Sequence, residues 1–149
     1  MKRPERGRML RLRLLMKEKG ISALLVTRQE NVRYLTGFTG SSGSVLVTRG
    51  RSSLITDFRY RLQSRREASG LAVVIQKTDW ARAVRDTAAR AGADTLWFDE
   101  SSLTLDRIKK LRQPGLRLKG YRDLVGELRQ RKDEQELASI RKAIARAEG

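Results

Sequence analysis

The apolar positions of the chain follow two different spacings, which predict an alternation of strands and helices. A short apolar run of the kind that fills a buried strand lies at residues 23–27, and further strands are predicted at 44–48, 53–56, 71–76, 95–99 and 116–120. Apolar residues three or four positions apart predict helices at 9–19, 32–36, 58–68, 79–91, 104–112, 123–131 and 134–148. Such alternation is typical of crossover units, so we predict an α/β fold with a mostly parallel sheet and helices on both faces.

One antiparallel hairpin is predicted within this sheet. The strands 44–48 and 53–56 are separated by a short basic turn around Arg49, Gly50 and Arg51. Gly50 can take the positive φ that a tight connection often needs. The hairpin makes the sheet mixed.

Helix boundaries are marked by side chains that can cap helices. Asn31 and Asp57 stand where helices are predicted to begin, and both are good N-cap types. Asp79 and Asp106 fit as further caps or first-turn charges. Glycines that stop helices follow three of the predicted segments, at Gly20, Gly37 and Gly92. The polar residues 1–8 are predicted to be a frayed lead-in.

The character of the chain changes after Tyr121. Two helical segments follow, and the second carries its apolar residues at Leu137, Ile140, Ile144 and Ala147. No capping residue, glycine turn or proline closes that stripe, which suggests a link into another domain. We therefore expect an α/β domain over 1–122 and a helical linker over 123–149.

The composition excludes several kinds of chemistry. The chain has 149 residues, enough for one ordinary domain, and 39% of them are hydrophobic. It contains no cysteine and no histidine, so disulfides, thiolate nucleophiles, zinc fingers and histidine-dependent triads are excluded. No run approaches the roughly 18 apolar residues that span a bilayer, and no leader sequence is evident. We expect a soluble cytoplasmic protein without membrane contact.

The net charge of +16 makes nucleic acid a candidate partner, because such a field attracts polyanions. However, the cations are spread over nearly all predicted elements, and only 5% of residues are aromatic. An arginine-rich proteome, or an acidic domain absent from this chain, would also explain the charge. A catalytically inactive binding module for nucleic acid or an acidic protein is the second hypothesis.

Two features could hold a ligand. Gly37, Gly40 and Gly43 punctuate a loop that could cradle a phosphate, but the loop leads into a strand and lacks the Lys-Ser/Thr pair of a P-loop. Close packing of strands and helix explains the glycines equally well. The sequence does not indicate a hydrolytic or metal site among its carboxylates. The candidates considered are Asp57, Asp79, Asp94, Asp99, Glu100 and Asp106.

The second feature is the corner at Asp57, Arg59 and Tyr60. Asp57 lies at the carboxyl end of a predicted strand, where open α/β sheets place ligand crevices. The alternative is that Asp57 caps a helix, Arg59 forms an ion pair and Tyr60 packs on the sheet.

Two stretches together resemble a known family. The first is Asn31 followed by RYLTGFTGS at 33–41, then LITD at 54–57 with Arg59 and Tyr60. The second is Leu128 and Arg129, then Lys132, Glu136, Ile140 and Ala143. The chain resembles the N-terminal, non-catalytic domain of the proline-specific pita-bread metallopeptidases, which include Xaa-Pro aminopeptidase, Xaa-Pro dipeptidase (prolidase) and creatinase.

The resemblance implies a three-layer α/β/α sandwich followed by a pita-bread catalytic domain that this chain does not contain. That domain would bind two divalent ions, manganese or cobalt, and cleave the bond before proline. The chain alone would be inactive, with no catalytic or metal-binding residue of its own. Aminopeptidase and dipeptidase are not distinguished, and a catalytically dead parent stays open.

The resemblance also implies a role for this domain, which is to form a homo-oligomer, a dimer in the simplest case, and to wall the entrance through which proline-containing peptides pass. The residues that fit this edge by position are Tyr34, Phe38, Thr39, Gly40, Ser41, Asp57, Arg59 and Tyr60. A purely structural role for the loop is the alternative.

Overall fold

The structure is a computed structural model that describes residues 3–68, 70–131 and 134–149. The helices are α1 (Pro4–Lys19), α2 (Gln29–Thr36), α3 (Arg61–Glu67), α4 (Trp80–Arg90), α5 (Leu105–Leu111), α6 (Leu124–Gln130) and α7 (Glu134–Glu148). The strands are β1 (Ala23–Val26), β2 (Gly43–Thr48), β3 (Ser52–Thr56), β4 (Ala72–Ile75), β5 (Thr95–Asp99) and β6 (Arg117–Tyr121). A 3₁₀ turn, Phe58–Tyr60, precedes α3.

The strands form one mixed sheet in the order β4-β3-β2-β1-β5-β6. β2 is antiparallel to both of its neighbours, with Leu46 opposite Leu25 of β1 and Val45 opposite Leu54 of β3. The other pairs, β1 with β5, β3 with β4 and β5 with β6, are parallel. The predicted hairpin and the mostly parallel sheet are confirmed.

Helices cover both faces of the sheet, which confirms the three-layer sandwich. The strands supply alternate residues to two hydrophobic clusters because successive side chains point to opposite faces. In β1, Leu24 and Val26 belong to one cluster, and Ala23 and Leu25 to the other. The first cluster is completed by residues of α1, α2 and α6, and the second by residues of α4 and α5.

Two of the predicted helix starts are wrong. α1 begins at Pro4, earlier than residue 9, because proline is well suited to the first helical position. α2 begins at Gln29 with Arg28 before it, so Asn31 lies inside the helix and is not its N-cap. The Asn31 side chain is 1% exposed and bonds to Asp123 and Arg129 instead.

The segment after β3 is not one continuous helix. The Asp57 side chain accepts a hydrogen bond from the Arg59 backbone N–H, as predicted for a cap, but the turn that it caps is 3₁₀. The α-helix starts only at Arg61. A carboxylate that bonds two residues ahead favours this tighter turn.

The remaining helix caps follow the predictions, whereas the predicted conformation of the hairpin glycine Gly50 does not. Asp79 accepts from the backbone N–H of Arg82, and Asp106 lies in the first turn of α5. Gly20, Gly37 and Gly92 have left-handed φ angles at the ends of helices. Gly50 does not have a positive φ, so that prediction is wrong, and the turn is closed by the backbone N–H and hydroxyl of Thr48, which donate to the carbonyl of Arg51.

The C-terminal helices differ in burial. Leu124, Val125 and Leu128 of α6 are buried in the first cluster. In α7, Ile140 and Ile144 are 43% and 51% exposed. The division of the chain at residue 122 stays a prediction. Within the described ranges, no helix combines the length and the apolar character needed to cross a membrane.

Candidate functional site

The loop 37–43 connects α2 to β2 and turns one aromatic ring inwards. Gly37 ends α2 with a φ of 78°, which directs Phe38 into the core, where it is 1% exposed. The hydroxyl of Thr36 accepts the Phe38 backbone N–H at 3.0 Å and donates to the carbonyl of Val32 at 2.7 Å. The start of the loop is therefore fixed by the end of the helix.

The Phe38 ring explains two of the loop glycines. A Cβ on Gly40 would lie 2.3 Å from Cζ of Phe38 and 2.9 Å from Cδ1 of Tyr60. A Cβ on Gly43 would lie 2.8 Å from Cε1 of the same phenylalanine. Real Cβ atoms do not approach so closely, so both positions require glycine for packing.

Two backbone N–H groups of the loop are already bonded within the chain and are not free to bind a phosphate. The N–H of Thr39 donates to Oε2 of Glu67 at 2.8 Å, and the N–H of Ser41 donates to the hydroxyl of Tyr60 at 3.3 Å. β2 begins at Gly43, so no helix N-terminus follows the loop. The packing interpretation of the glycines accounts for these contacts, and the phosphate cradle does not.

The corner after β3 is held by a bidentate ion pair. Nε and Nη2 of Arg59 each donate to the Asp57 carboxylate at 2.9 Å. The Arg59 guanidinium, helped by the Arg59 backbone N–H, lowers the pKa of Asp57 to about 2. The Asp57 side chain is 14% exposed and that of Arg59 is 60% exposed, so the charge of the pair is shielded on one side only.

Tyr60 joins the corner to the loop. Its ring meets Phe38 edge-on, with centroids 5.6 Å apart, and the Arg59 guanidinium lies 5.3 Å from its centroid. Its hydroxyl bonds to the hydroxyl and the backbone N–H of Ser41, and these bonds lower the pKa of Tyr60. The loop and the corner therefore form one surface, which we call the loop–corner edge (residues 37–43 and 57–60).

A carboxylate on α3 completes this edge. Burial raises the pKa of Glu67, but hydrogen bonds from the backbone and hydroxyl of Thr39 and from Gln63 outweigh burial and lower it. Glu67 was not among the predicted site residues. The only local signal is the spacing of Gln63 and Glu67, which places both on one face of α3.

The structure brings together seven of the eight predicted site residues and separates Tyr34 from them. Thr39, Ser41 and Arg59 are exposed on the loop–corner edge, while Asp57 and Tyr60 are half-buried there. The buried Phe38 and Gly40 lie beneath them. Tyr34 lies apart, buried under the Arg8 guanidinium, which is 4.2 Å from its ring centroid. Contact with a peptide or a second subunit stays a prediction for all of these residues.

A second polar cluster, whose residues were not predicted to form a site, lies where β1, β5 and β6 end. The Asn31 side chain donates to Asp123 at 3.1 Å and accepts from Arg129 at 3.1 Å. Oδ1 of Asp99 accepts from the backbone and hydroxyl of Ser101. Asn31 thereby ties α2 to α6 across more than ninety residues of sequence.

Two atoms of this cluster lack hydrogen bonds within the described residues. They are Nε of Arg28 and Oδ2 of Asp99, both buried. Nη2 of Arg28 lies 3.6 Å from the Asp99 carboxylate, so an ion pair partly compensates. Asp123 has a φ of 33° and is the only residue other than glycine in the described ranges with a left-handed backbone. Its side chain caps α6 by accepting a hydrogen bond from the backbone N–H of Gly126.

The described residues do not fit a catalytic metal pair. They contain no group of three or more His, Cys, Asp or Glu side chains that could hold a metal ion. Asp57 and Asp99 are each engaged by an arginine.

Comparison with known proteins agrees with this geometry. Uncharacterized peptidase YqhT of Bacillus subtilis (strain 168) is 35% identical over 94 residues, which are 63% of this chain and 27% of that protein. The N-terminal domain of cytoplasmic peptidase PepQ from Mycobacterium tuberculosis H37Rv has a TM-score of 0.75 at 31% identity, covering 82% of this chain and 98% of that chain. An Xaa-Pro dipeptidase from Bacillus anthracis has a TM-score of 0.84 at 29% identity, covering 90% of this chain and 38% of that chain.

These relatives place the matched region within longer peptidases. The chain spans about a quarter of the length of the curated relative from Bacillus subtilis. The family model for the creatinase/prolidase N-terminal domain matches residues 8–131, which include both polar clusters and most of the core. The chain therefore belongs to the creatinase/prolidase N-terminal domain family, as a domain of the kind found in Xaa-Pro peptidase-like proteins.

Proposed function

We propose that this chain is the non-catalytic domain of a metal-dependent Xaa-Pro peptidase, of the aminopeptidase P or prolidase type. In this proposal the domain joins subunits into a homo-oligomer and walls the entrance of the active site. The relatives from Bacillus subtilis and Bacillus anthracis are longer than this chain, and we assign the reaction and its two divalent ions, manganese or cobalt, to a further domain.

One observation carries the oligomer part of the proposal. Phe58, on the loop–corner edge, and Leu62, four residues later in α3, are 76% and 72% exposed. Large apolar side chains at such exposure are typical of surfaces that are buried on association. A second copy covering them would bring its own surface against Thr39, Ser41 and Arg59.

The internal bonding of the edge supports its role as a wall. Thr39, Ser41 and Asp57 bond to Glu67, Tyr60 and Arg59 within the same chain. A surface whose polar groups are already held in place loses little entropy when a peptide passes or binds. Such preorganisation suits an entrance that selects short peptides by shape.

The test uses the intact protein in which this domain is joined to its catalytic domain. We expect manganese-dependent cleavage of an Xaa-Pro dipeptide or tripeptide, and a dimer by light scattering. The variant Phe58→Ser with Leu62→Ser should shift the mass towards the monomer. Its matched control is Leu10→Ser with Leu14→Ser, a pair on α1 at the same spacing that is 60% and 67% exposed.

Each part of the proposal fails separately. Absence of Xaa-Pro cleavage with manganese or cobalt would contradict the peptidase assignment. Equal masses for the two variants would remove Phe58 and Leu62 from the interface. A cytoplasmic location is part of the proposal, supported by the name of the Mycobacterium tuberculosis relative, and is tested by cell fractionation. None of the comparisons supports the basic binding module.

A further inference from the structure

A basic cleft lies at the β2–β3 turn, at the opposite ends of these two strands from the loop–corner edge. Its volume is 540 Å³, within the range of small-molecule sites. The β2–β3 turn forms one side with Arg49 and Arg51, and the carboxyl end of α4 forms the other with Arg90. We call it the arginine cleft, and it lies beyond the function proposed above.

The three arginines of the cleft are exposed and their guanidiniums are unpaired. Within the described parts of the chain, none of the three guanidiniums forms an ion pair or a hydrogen bond. Some other arginines are engaged, such as Arg13, which donates to the carbonyl of Thr48 at 3.0 Å. Three cations of like sign around one concavity repel one another, which an anion would relieve.

The other charges of the cleft do not supply that anion. Asp94 lines it, but its Oδ1 accepts from the Thr95 hydroxyl at 3.1 Å, and it forms no ion pair with the three arginines in the described structure. The carboxyl end of α4 carries a partial negative charge, so the helix dipole does not attract an anion here. Any anion binding must therefore depend on the guanidiniums.

We propose that the arginine cleft binds a small oligophosphate, a molecule with two or more linked phosphate groups. A guanidinium can donate two N–H groups to the oxygens of one phosphate, and it stays charged at any physiological pH. Successive phosphates can therefore bind to Arg49 and Arg51 on one side of the cleft and to Arg90 on the other. Inorganic phosphate alone would reach fewer of them and bind less tightly.

The test is calorimetric titration of the 149-residue chain with inorganic tripolyphosphate at near-physiological salt. Each charge-assisted hydrogen bond contributes enough to change the Kd by about tenfold, so Arg49→Gln and Arg90→Gln should each weaken binding by about that factor. The triple variant with Arg51→Gln should weaken it about a hundredfold or more. Inorganic phosphate should bind at least about tenfold more weakly than tripolyphosphate.

A matched control separates a built site from net charge. The variant Arg61→Gln, Arg65→Gln and Arg66→Gln removes the same charge from exposed positions on α3, at the other end of β3. It should change the Kd by no more than about twofold. Equal losses in both triple variants would overturn the proposal in favour of net charge.

The remaining outcomes are also decisive. If tripolyphosphate gives no heat of binding up to millimolar concentration, the proposal is overturned. A single-stranded oligonucleotide that loses affinity in the cleft variant, while tripolyphosphate does not, would assign the cleft to nucleic acid instead. Unchanged thermal unfolding of Arg49→Gln and Arg90→Gln would show that their loss of binding is not a loss of fold.

Discussion

The packing of the loop–corner edge predicts that Gly40→Ala destabilises the domain. The added methyl would lie 2.3 Å from Cζ and 2.9 Å from Cε1 of Phe38, and 2.9 Å from Cδ1 of Tyr60. It would therefore meet two rings at once. Phe38 is 1% exposed and cannot swing outwards without disturbing the core, so the strain cannot be relieved by one flexible side chain.

The magnitude follows from two opposing effects. Inserting a methyl into packed surroundings costs about 1–3 kcal/mol. Alanine also restricts the unfolded chain, which stabilises the folded state by about 0.4–1 kcal/mol. We expect a net loss of about 1–2 kcal/mol in the free energy of unfolding, or about 2–8 °C in Tm for a domain of this size.

Urea unfolding of Gly40→Ala and Gly50→Ala at unchanged m-value tests this reasoning. Gly50 is the matched control because an added Cβ would meet nothing within 4 Å and its φ is not left-handed. Gly50→Ala should leave stability unchanged or slightly raised. In a Phe38→Leu background, Gly40→Ala should cost less, because the smaller side chain leaves room. Equal stabilities of the two single variants would refute the packing explanation.

Two further predictions concern polar groups. Asn31→Ala should lower the free energy of unfolding by about 1–3 kcal/mol, because Arg129 loses its bond to Asn31 and Asp123 keeps only the bond from the Gly126 N–H. Asn31→Asp should be worse, since it sets a second carboxylate against Asp123. Urea unfolding of both variants measures this, and wild-type stability in either would contradict it. Because Arg59 lowers the pKa of Asp57 to about 2, below its unfolded value, the pair stabilises the fold above about pH 4 and this contribution is lost as the pH falls towards 2. The urea midpoint of unfolding, measured from pH 2 to pH 6, should depend less on pH between 2 and 4 in Asp57→Asn than in the unsubstituted chain. The same pH dependence in both proteins would disprove the linkage.

The strands and helices were predictable because burial follows local pattern. Every residue of β1 is buried, as a short apolar run predicts for a central strand. In α4, Val84 and Ala88 are buried at helical spacing, with Trp80 and Ala91 partly buried on the same stripe. These features require no knowledge of distant partners, since an apolar face is buried by whichever element covers it.

The polar contacts were not predictable in the same way, because their partners are distant in sequence. Asn31 has the residue type of an N-cap, and only the position of Asp123, ninety-two residues later, explains why it lies inside α2. Glu67 bonds to Thr39 across twenty-eight residues, with no local pattern that predicts the pair. A cap can be inferred from a neighbour, whereas such bridges depend on how the helices pack on the sheet.

The loop–corner edge was predictable in part, and the difference between its members has a physical cause. The β2–β3 hairpin brings the residues after Gly37 next to those after Thr56, so a glycine loop and a strand-end corner on adjacent strands must meet. Tyr34 precedes the loop by less than one helical turn, yet the rotation of α2 directs it towards Arg8 of α1. Proximity in sequence therefore located the edge, but not which side chains face it.

The two edges of the sheet differ in how their charges are satisfied, and the difference separates the proposed roles. At the loop–corner edge, Asp57 and Glu67 are each bonded within the chain, so the surface is fixed before any partner arrives. At the arginine cleft, Arg49 and Arg90 have no partner in the described structure, so an arriving anion gains charge-assisted bonds without breaking existing ones. A preorganised edge favours selection by shape, and an unpaired basic cleft favours binding by charge. Raised salt should therefore weaken anion binding at the cleft much more than it weakens the association of subunits through Phe58.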